Sequence, residues 1–477
     1  MAASHSTSQD YNPPRFKWTK RIAWGSLGLG VLNVALWGSA TLIAQHRLDK
    51  MIASYRAVGE PVYAEDFNVS KNIPDDENAA TYYMKAVSVY RWPGIIDPSV
   101  NLERLFDAVR FGHGDEFAAE IDALISTNGE AIELVRRGAQ CEDVDWGIDV
   151  SWPLFDCVLP SFGPRRDLVW LLGVAVEKSQ TEGQHRRLIE LLFAQVRLSD
   201  QVGQNPPVMI AHMLGNLCST RACVTIEFVT PNLAVAGDDP VAVTGASQAQ
   251  VRALINQLLD ERAHSQSWAT SLLMERAVSI DTVRIWCGGK PTVAGSMVQR
   301  LPGASILGPI WTIDGCRVAE FWTGVKEAYL QDKYPRAKAM CPDSLLVDDT
   351  NMLLRPSRMF AISMSRAAEL HFRLFAIRRM AATALAIRLF EIDHGDRPES
   401  LDQLVPEYLE SIPRDPFADG DQPIRYWPDG DPPLLYCVGK DGVDDGGRFE
   451  LNEDGGVDMD KLDLVFFLNG DRPLRNP

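Results

Sequence analysis

The apolar and polar positions change rhythm three times along the chain. Residues 22–44, IAWGSLGLGVLNVALWGSATLIA, form a run of 23 residues without a charge. At about 1.5 Å per residue, a helix of this length crosses a hydrocarbon core of roughly 30 Å. From residue 165 onward, apolar residues recur at spacings of three and four, the mark of amphipathic helices. Helices are predicted over 165–181, 185–202, 207–229, 249–264, 268–285, 313–334 and, longest of all, 357–393. Glu182-Gly183 and Gln204-Asn205-Pro206 separate the first three, and such short connectors predict antiparallel neighbours. In the second helix Leu188, Leu191, Leu192 and Leu198 share a face, with Gln195 as its polar exception. In the last, Leu374, Ile377, Ala381, Leu385, Leu389 and Ile392 form one stripe. That helix is expected to pack by one face, with Arg366, Arg373, Arg378, Arg379 and Arg388 on the others.

After His394-Gly395 the helical rhythm stops. Two short strands are predicted at 424–427 and 434–438, joined across Asp429-Gly430 and Pro432-Pro433. The expected fold class is mostly α: one N-terminal transmembrane helix, a multi-helix body resembling a hairpin array, and a small α+β tail. The expected divisions are a cytoplasmic tail (1–21), the transmembrane helix (22–44), a stalk (45–72), a helical extracytoplasmic body (73–356) and a long helix with a small antiparallel sheet (357–477). Asp75 or Asp76, just after Pro74, is expected to cap the first body helix, and Ser247 a later one.

Charge adds a direction. Arg15, Lys17, Lys20 and Arg21 precede the uncharged run, and Arg47, Lys50 and Arg56 follow it. The balance leans to a cytoplasmic N-terminus, with the bulk of the chain periplasmic, outside the inner membrane. The run exceeds the 7–15 apolar residues of a cleaved signal peptide, so an uncleaved signal anchor is expected. The net charge is −17, and residues 391–477 hold 22 acidic against 8 basic residues. This acidity excludes nucleic acid, which is bound through Lys and Arg on phosphates. The expected partners are the membrane, through residues 22–44, and a protein outside the cytoplasm. The eight cysteines are scattered with no C-x-x-C pair and are expected mostly as buried thiols.

Candidate chemistry is sparse. No H-E-x-x-H, G-x-S-x-G or P-loop occurs, so an enzyme is not expected. His113 beside Asp115, and His185 facing His212, are pairings that proton transfer could use; surface or core roles are the alternative. Trp146, Trp152, Trp170, Trp268, Trp286, Trp311 and Trp322 are expected to fill a helical core. Asp441, Asp444 and Asp445 cluster on a loop with Gly442, Gly446 and Gly447. Ca²⁺ takes six to eight oxygens, and glycine lets a chain curl around it. An EF-hand register fails because Val443 would occupy its third position. A calcium site of another kind and a solvated acidic turn are both open readings.

The order of a long helix, DHGDRPESLDQLVPEYL, IPRDPFADG, IRYW and LLYCVGKDGVDDGG resembles the C-terminal part of the type II secretion major pseudopilin. The likeness runs from about residue 380 to 447. It implies a long helix packed on a small antiparallel sheet, and a calcium-binding loop at Asp441, Asp444 and Asp445. A pseudopilin, however, runs directly from its membrane helix into the pilin domain, whereas here about 310 residues intervene. That departure argues against assembly into a pseudopilus. The IPDDENAA segment, the helical middle and this tail also resemble a class of uncharacterised membrane-anchored bacterial proteins, a likeness that implies architecture and localisation alone. The expected function is that of a membrane-anchored, extracytoplasmic structural or interaction protein. The alternatives are an accessory of a type II secretion-like system and an exported hydrolase without a recognisable motif.

Overall fold

The structure, a computed structural model, describes residues 15–69, 71–97, 100–110, 114–150, 162–204, 207–236, 244–286, 304–342, 364–453 and 456–473. Helix α1 (Arg15–Ala57) is a single helix of 43 residues. Helix α2 (Ala79–Val89) starts on Asn78, whose side chain accepts a hydrogen bond from the Ala80 N–H at 3.1 Å. Asn78, not Asp75 or Asp76, is therefore the cap; its side chain also donates to the Asp145 carbonyl and accepts the Asp145 N–H, both at 2.9 Å, tying the helix start to a distant loop. Helices α3 (Leu102–Arg110), α4 (Ala118–Thr127) and α5 (Gly129–Gly138) follow.

Helices α6 (Phe162–Thr181), α7 (His185–Val202) and α8 (Met209–Val229) pack in succession, as the short connectors predict. Gln195 lies in their core and donates to the Val169 carbonyl at 3.0 Å, so the polar exception of α7 stitches it to α6. The two-residue strands β1 (Val235–Ala236) and β2 (Ala246–Ser247) pair in parallel and lead into α9 (Gln248–Leu259). Ser247 caps that helix as expected: its hydroxyl accepts from the Gln250 N–H, and the Gln250 side chain accepts from the Ser247 N–H. Helices α10 (Arg262–Trp286) and α11 (Ala304–Tyr329) lie against each other, and the short α12 (Tyr334–Met340) follows.

Among the described residues, α1 is the one helix long and apolar enough to cross a membrane. Residues 22–37 of its uncharged part are exposed, and two polar side chains of the run bond within the helix: Asn33 donates to the Leu29 carbonyl at 2.9 Å and Thr41 to the Trp37 carbonyl at 2.8 Å. The residues expected as the start of a stalk continue the same helix instead. Ala44, Leu48, Met51 and Tyr55 are buried at spacings of three and four, and α1 packs there on α11. The Tyr55 hydroxyl meets Thr323 Oγ1 at 2.9 Å, and Arg276 lies 3.7 Å over the Tyr55 ring while pairing with Glu60 at 2.6 Å. Lys326 holds the other oxygen of Glu60.

Helix α13 (Met364–His394) corrects a second expectation. It is buried on nearly every side between Ala367 and Leu389, so it is the axis of the body and not a one-faced cover. Its arginines are tolerated because other elements meet them: Arg373 reaches Asp460 at 2.5 Å, Arg379 reaches Glu261 at 2.7 Å, and Arg388 reaches the Leu233 carbonyl at 3.0 Å. The expected strands appear as β3 (Arg425–Trp427) and β4 (Leu434–Cys437). A third, β5 (Leu464–Phe467), completes an antiparallel sheet of order β3-β4-β5 with Leu434 opposite Phe467, and α13 packs on β4 and β5. Arg472, just past β5, bonds Glu227 on α8 at 2.7 and 3.1 Å, and Glu227 also accepts the Phe467 N–H at 2.6 Å.

Gly315 sets the approach of α10 to α11. A Cβ there would lie 1.9 Å from Val283 Cγ2, a β-branched side chain with little freedom to move. Gly315→Ala is expected to force the two helices apart and to destabilise the protein by about 1–3 kcal/mol, read as a lowered Tm of the detergent-solubilised chain.

Candidate functional site

The buried chemistry gathers around α13. Arg378 has no exposure and spreads its guanidinium over four other elements. Its Nε donates to the Leu258 carbonyl at 3.0 Å and its Nη2 to the Gln257 carbonyl at 2.7 Å, satisfying the end of α9, where helix carbonyls have no partner of their own. Its Nη1 donates to Asp200 Oδ1 on α7 at 2.6 Å and to Ser219 Oγ on α8 at 2.9 Å. His264, on α10, meets the same Asp200 oxygen at 2.8 Å, and Gln257 bonds the other at 2.5 Å. Burial alone would raise the Asp200 carboxyl, but the Arg378 charge and the His264 bond outweigh it and bring the group down to about 2. Serine, histidine and aspartate thus meet, but not as a nucleophile with its base: the Ser219 hydroxyl is engaged by Arg378, and all four groups are sealed from solvent. The arrangement joins five elements.

A second buried group adjoins it. His212 on α8, Trp268 on α10 and His371 on α13 stack with ring centroids 4.9–5.3 Å apart. His212 bonds Ser267 at 3.2 Å and Asn216 at 3.1 Å, whereas His371 Nδ1, Asn216 Oδ1 and Trp268 Nε1 have no hydrogen-bond partner. Burial pushes His371 down to about 3 and His212 well below its ordinary value, so both rings are neutral. The suggested pairing of His185 with His212 is absent, since His212 sits in this nest and His185 begins α7 near Arg388. Asp115 is exposed, and His113 lies outside the described residues. Trp146, Trp170, Trp268, Trp311 and Trp322 are buried; Trp152 lies outside the described residues.

The surface holds clefts. One of about 490 Å³ runs between α5, α7 and α9, with Ile189, Phe193 and Ala253 as its apolar floor and Glu133, Arg136 and Glu190 on its rim. It adjoins a hollow of about 540 Å³ that shares Arg137 and Gln140 and adds Tyr82 and the acidic Asp76, Glu77, Glu142 and Asp143. Half-buried Cys141 also lines the hollow, with burial raising its thiol; Cys218, Cys223, Cys316 and Cys437 are buried free thiols, and Cys341 is half-buried. Cys157 and Cys287 lie outside the described residues.

The acidic loop near the C-terminus is held by its own bonds. Asp444 pairs with Arg425 at 2.7 Å and accepts the Gly446 N–H at 3.0 Å, and Asp441 accepts the Val443 N–H at 3.1 Å. Asp445 offers its backbone N–H to buried Asp463 at 3.4 Å, and Asp463 also accepts the Gly447 N–H at 2.8 Å. Among the described residues, no three His, Cys, Asp or Glu side chains converge on a metal position. No protein family, curated protein or solved structure matches this chain.

Two outcomes follow from the buried groups. Arg378→Met leaves Asp200 charged and buried without its cation, and is expected to cost about 3–5 kcal/mol in a denaturant melt; adding Asp200→Asn should recover part of that loss. An unfolded histidine titrates near about pH 6.5. His371 titrates far lower when folded, so the unfolded chain binds more protons as the pH drops. The stability it permits is full above about 6.5 and is lost as the pH falls toward its folded value. His371→Leu should therefore flatten the decline of Tm between pH 7 and pH 5 relative to the unaltered protein.

Proposed function

We propose that the protein is a membrane-tethered binding scaffold whose body lies outside the cytoplasm. The observation that carries this reading is the continuity of α1, which passes without a break from an exposed, uncharged stretch into a buried seam on α11. A body joined in this way is held at a fixed height over a bilayer, unlike one hung from a flexible linker. The basic residues that crowd the start of α1 support a cytoplasmic N-terminus. The joined clefts over α5, α7 and α9 are open and part apolar, with charges of both signs around them, which suits a protein segment better than an enclosed small molecule. Sealing of the Asp200, His264 and Ser219 group disfavours a hydrolase. The packing of α13 on a three-stranded antiparallel sheet supports a second reading, an accessory of a type II secretion-like system.

Protease added to intact spheroplasts is expected to digest the body and leave a fragment containing α1. Full protection until the membrane is permeabilised would refute the orientation. Phe193→Asp, in the floor of the cleft, should release a partner cross-linked to the unaltered protein, whereas Leu330→Asp, an exposed residue just past α11, should not.

A further inference from the structure

Helices α1 and α11 run in the same direction, as three contacts in ascending order along both require. Arg47 meets Glu320 at 2.8 Å, the Tyr55 hydroxyl meets Thr323 at 2.9 Å, and Glu60, just past α1, meets Lys326. Cys316 packs with Leu48 and Met51 in the same seam. Twelve residues separate Cys316 from the start of α11 at Ala304. At about 1.5 Å per residue that is roughly 18 Å of helix, which brings the first turns of α11 level with residues 36–44 of α1. The exposure of α1 agrees with this. It falls at Gly38, Thr41 and Ala44, in line with buried Leu48, Met51 and Tyr55, while residues 22–37 are open.

The polarity of both helices changes at one level. Residues 304–313 of α11, ASILGPIWTI, carry no charge. On its outer side Ile310 is 46% exposed, and the next outward side chains, Arg317 and Glu320, are charged. On α1 the uncharged run ends at Ala44, and Arg47 is its first following Lys or Arg, the residue that pairs with Glu320. The Arg47–Glu320 pair therefore marks the border between apolar and charged surface on both helices.

We propose that the first three turns of α11 lie within the leaflet nearest the body, beside the last third of the uncharged run of α1. The protein then meets lipid acyl chains with two helices, one crossing and one entering part-way. This rests on the reading of α1 as a membrane span. Ile310 faces the lipid, and an exposed apolar side chain on an uncharged turn gains from acyl contact what it would lose in water.

The test places the photo-crosslinker p-benzoylphenylalanine at Ile310, at Val34 or at Leu330 of the full chain, reconstituted in vesicles of phosphatidylethanolamine and phosphatidylglycerol. All three sites are exposed, so the fold tolerates the added ring. After irradiation, lipid adducts are read by mass spectrometry of the labelled peptides. Adducts at positions 34 and 310, with loss of the adduct at 330, are expected. An adduct at 34 without one at 310 overturns this inference and leaves the span of α1 standing. Absence at 34 removes the span and the inference with it. Equal yield at 310 and 330 also overturns it, because the far end of α11 would then touch lipid as readily as the near end.

Discussion

One buried cation organises the body. Arg378 stands on the central helix and holds a carboxylate of α7, a hydroxyl of α8 and the carbonyl end of α9, with His264 of α10 on the same carboxylate. A guanidinium suits this place because it is planar and offers five donors in fixed directions. An apolar residue of similar length could fill the volume, but it would leave Asp200 uncompensated and the last carbonyls of α9 without donors. The helices thus have one arrangement in which every polar group of the knot is satisfied, a constraint on register that apolar packing alone does not impose.

The same principle operates where the long first helix meets the rest. Tyr55, Arg276, Glu60 and Lys326 lock the end of α1 to α10 and α11. Packing along Leu48, Met51 and Tyr55 continues the contact toward the uncharged stretch. Tilt of α1 and orientation of the body are consequently one degree of freedom rather than two. The clefts over α5, α7 and α9 belong to the body that this seam joins to α1.

Much of the architecture was legible in the chain. The uncharged run, the helices over α6 to α8, the Ser247 cap and the first two tail strands all rest on local pattern, and each appears close to where its pattern lies. What was illegible is non-local. Arginines on α13 read as solvent-facing because their partners, Asp200, Glu261 and Asp460, lie far away in sequence. The stalk read as free because only the placement of α11 shows what covers Leu48 and Tyr55. The pairing of Asp444 with Arg425, 19 residues away, is likewise not visible in the spacing of the loop. The cluster of Asp200, His264, Ser219 and Arg378 comes from four separate helices and leaves no motif; a buried histidine and a polar residue on an apolar face were its only signals.

The bond between Arg472 and Glu227 joins the last described turn of the chain to a helix laid down near its middle. Strand β5, which precedes it, is the edge that completes the tail sheet against α13. Synthesis proceeds from the N-terminus, so α8 and α13 emerge with no closing strand available. The faces of α8 and α13 that β5 covers therefore stay open until residues 464–472 have been made, and a chain cut short before them lacks the closing edge of the body rather than a loose tail.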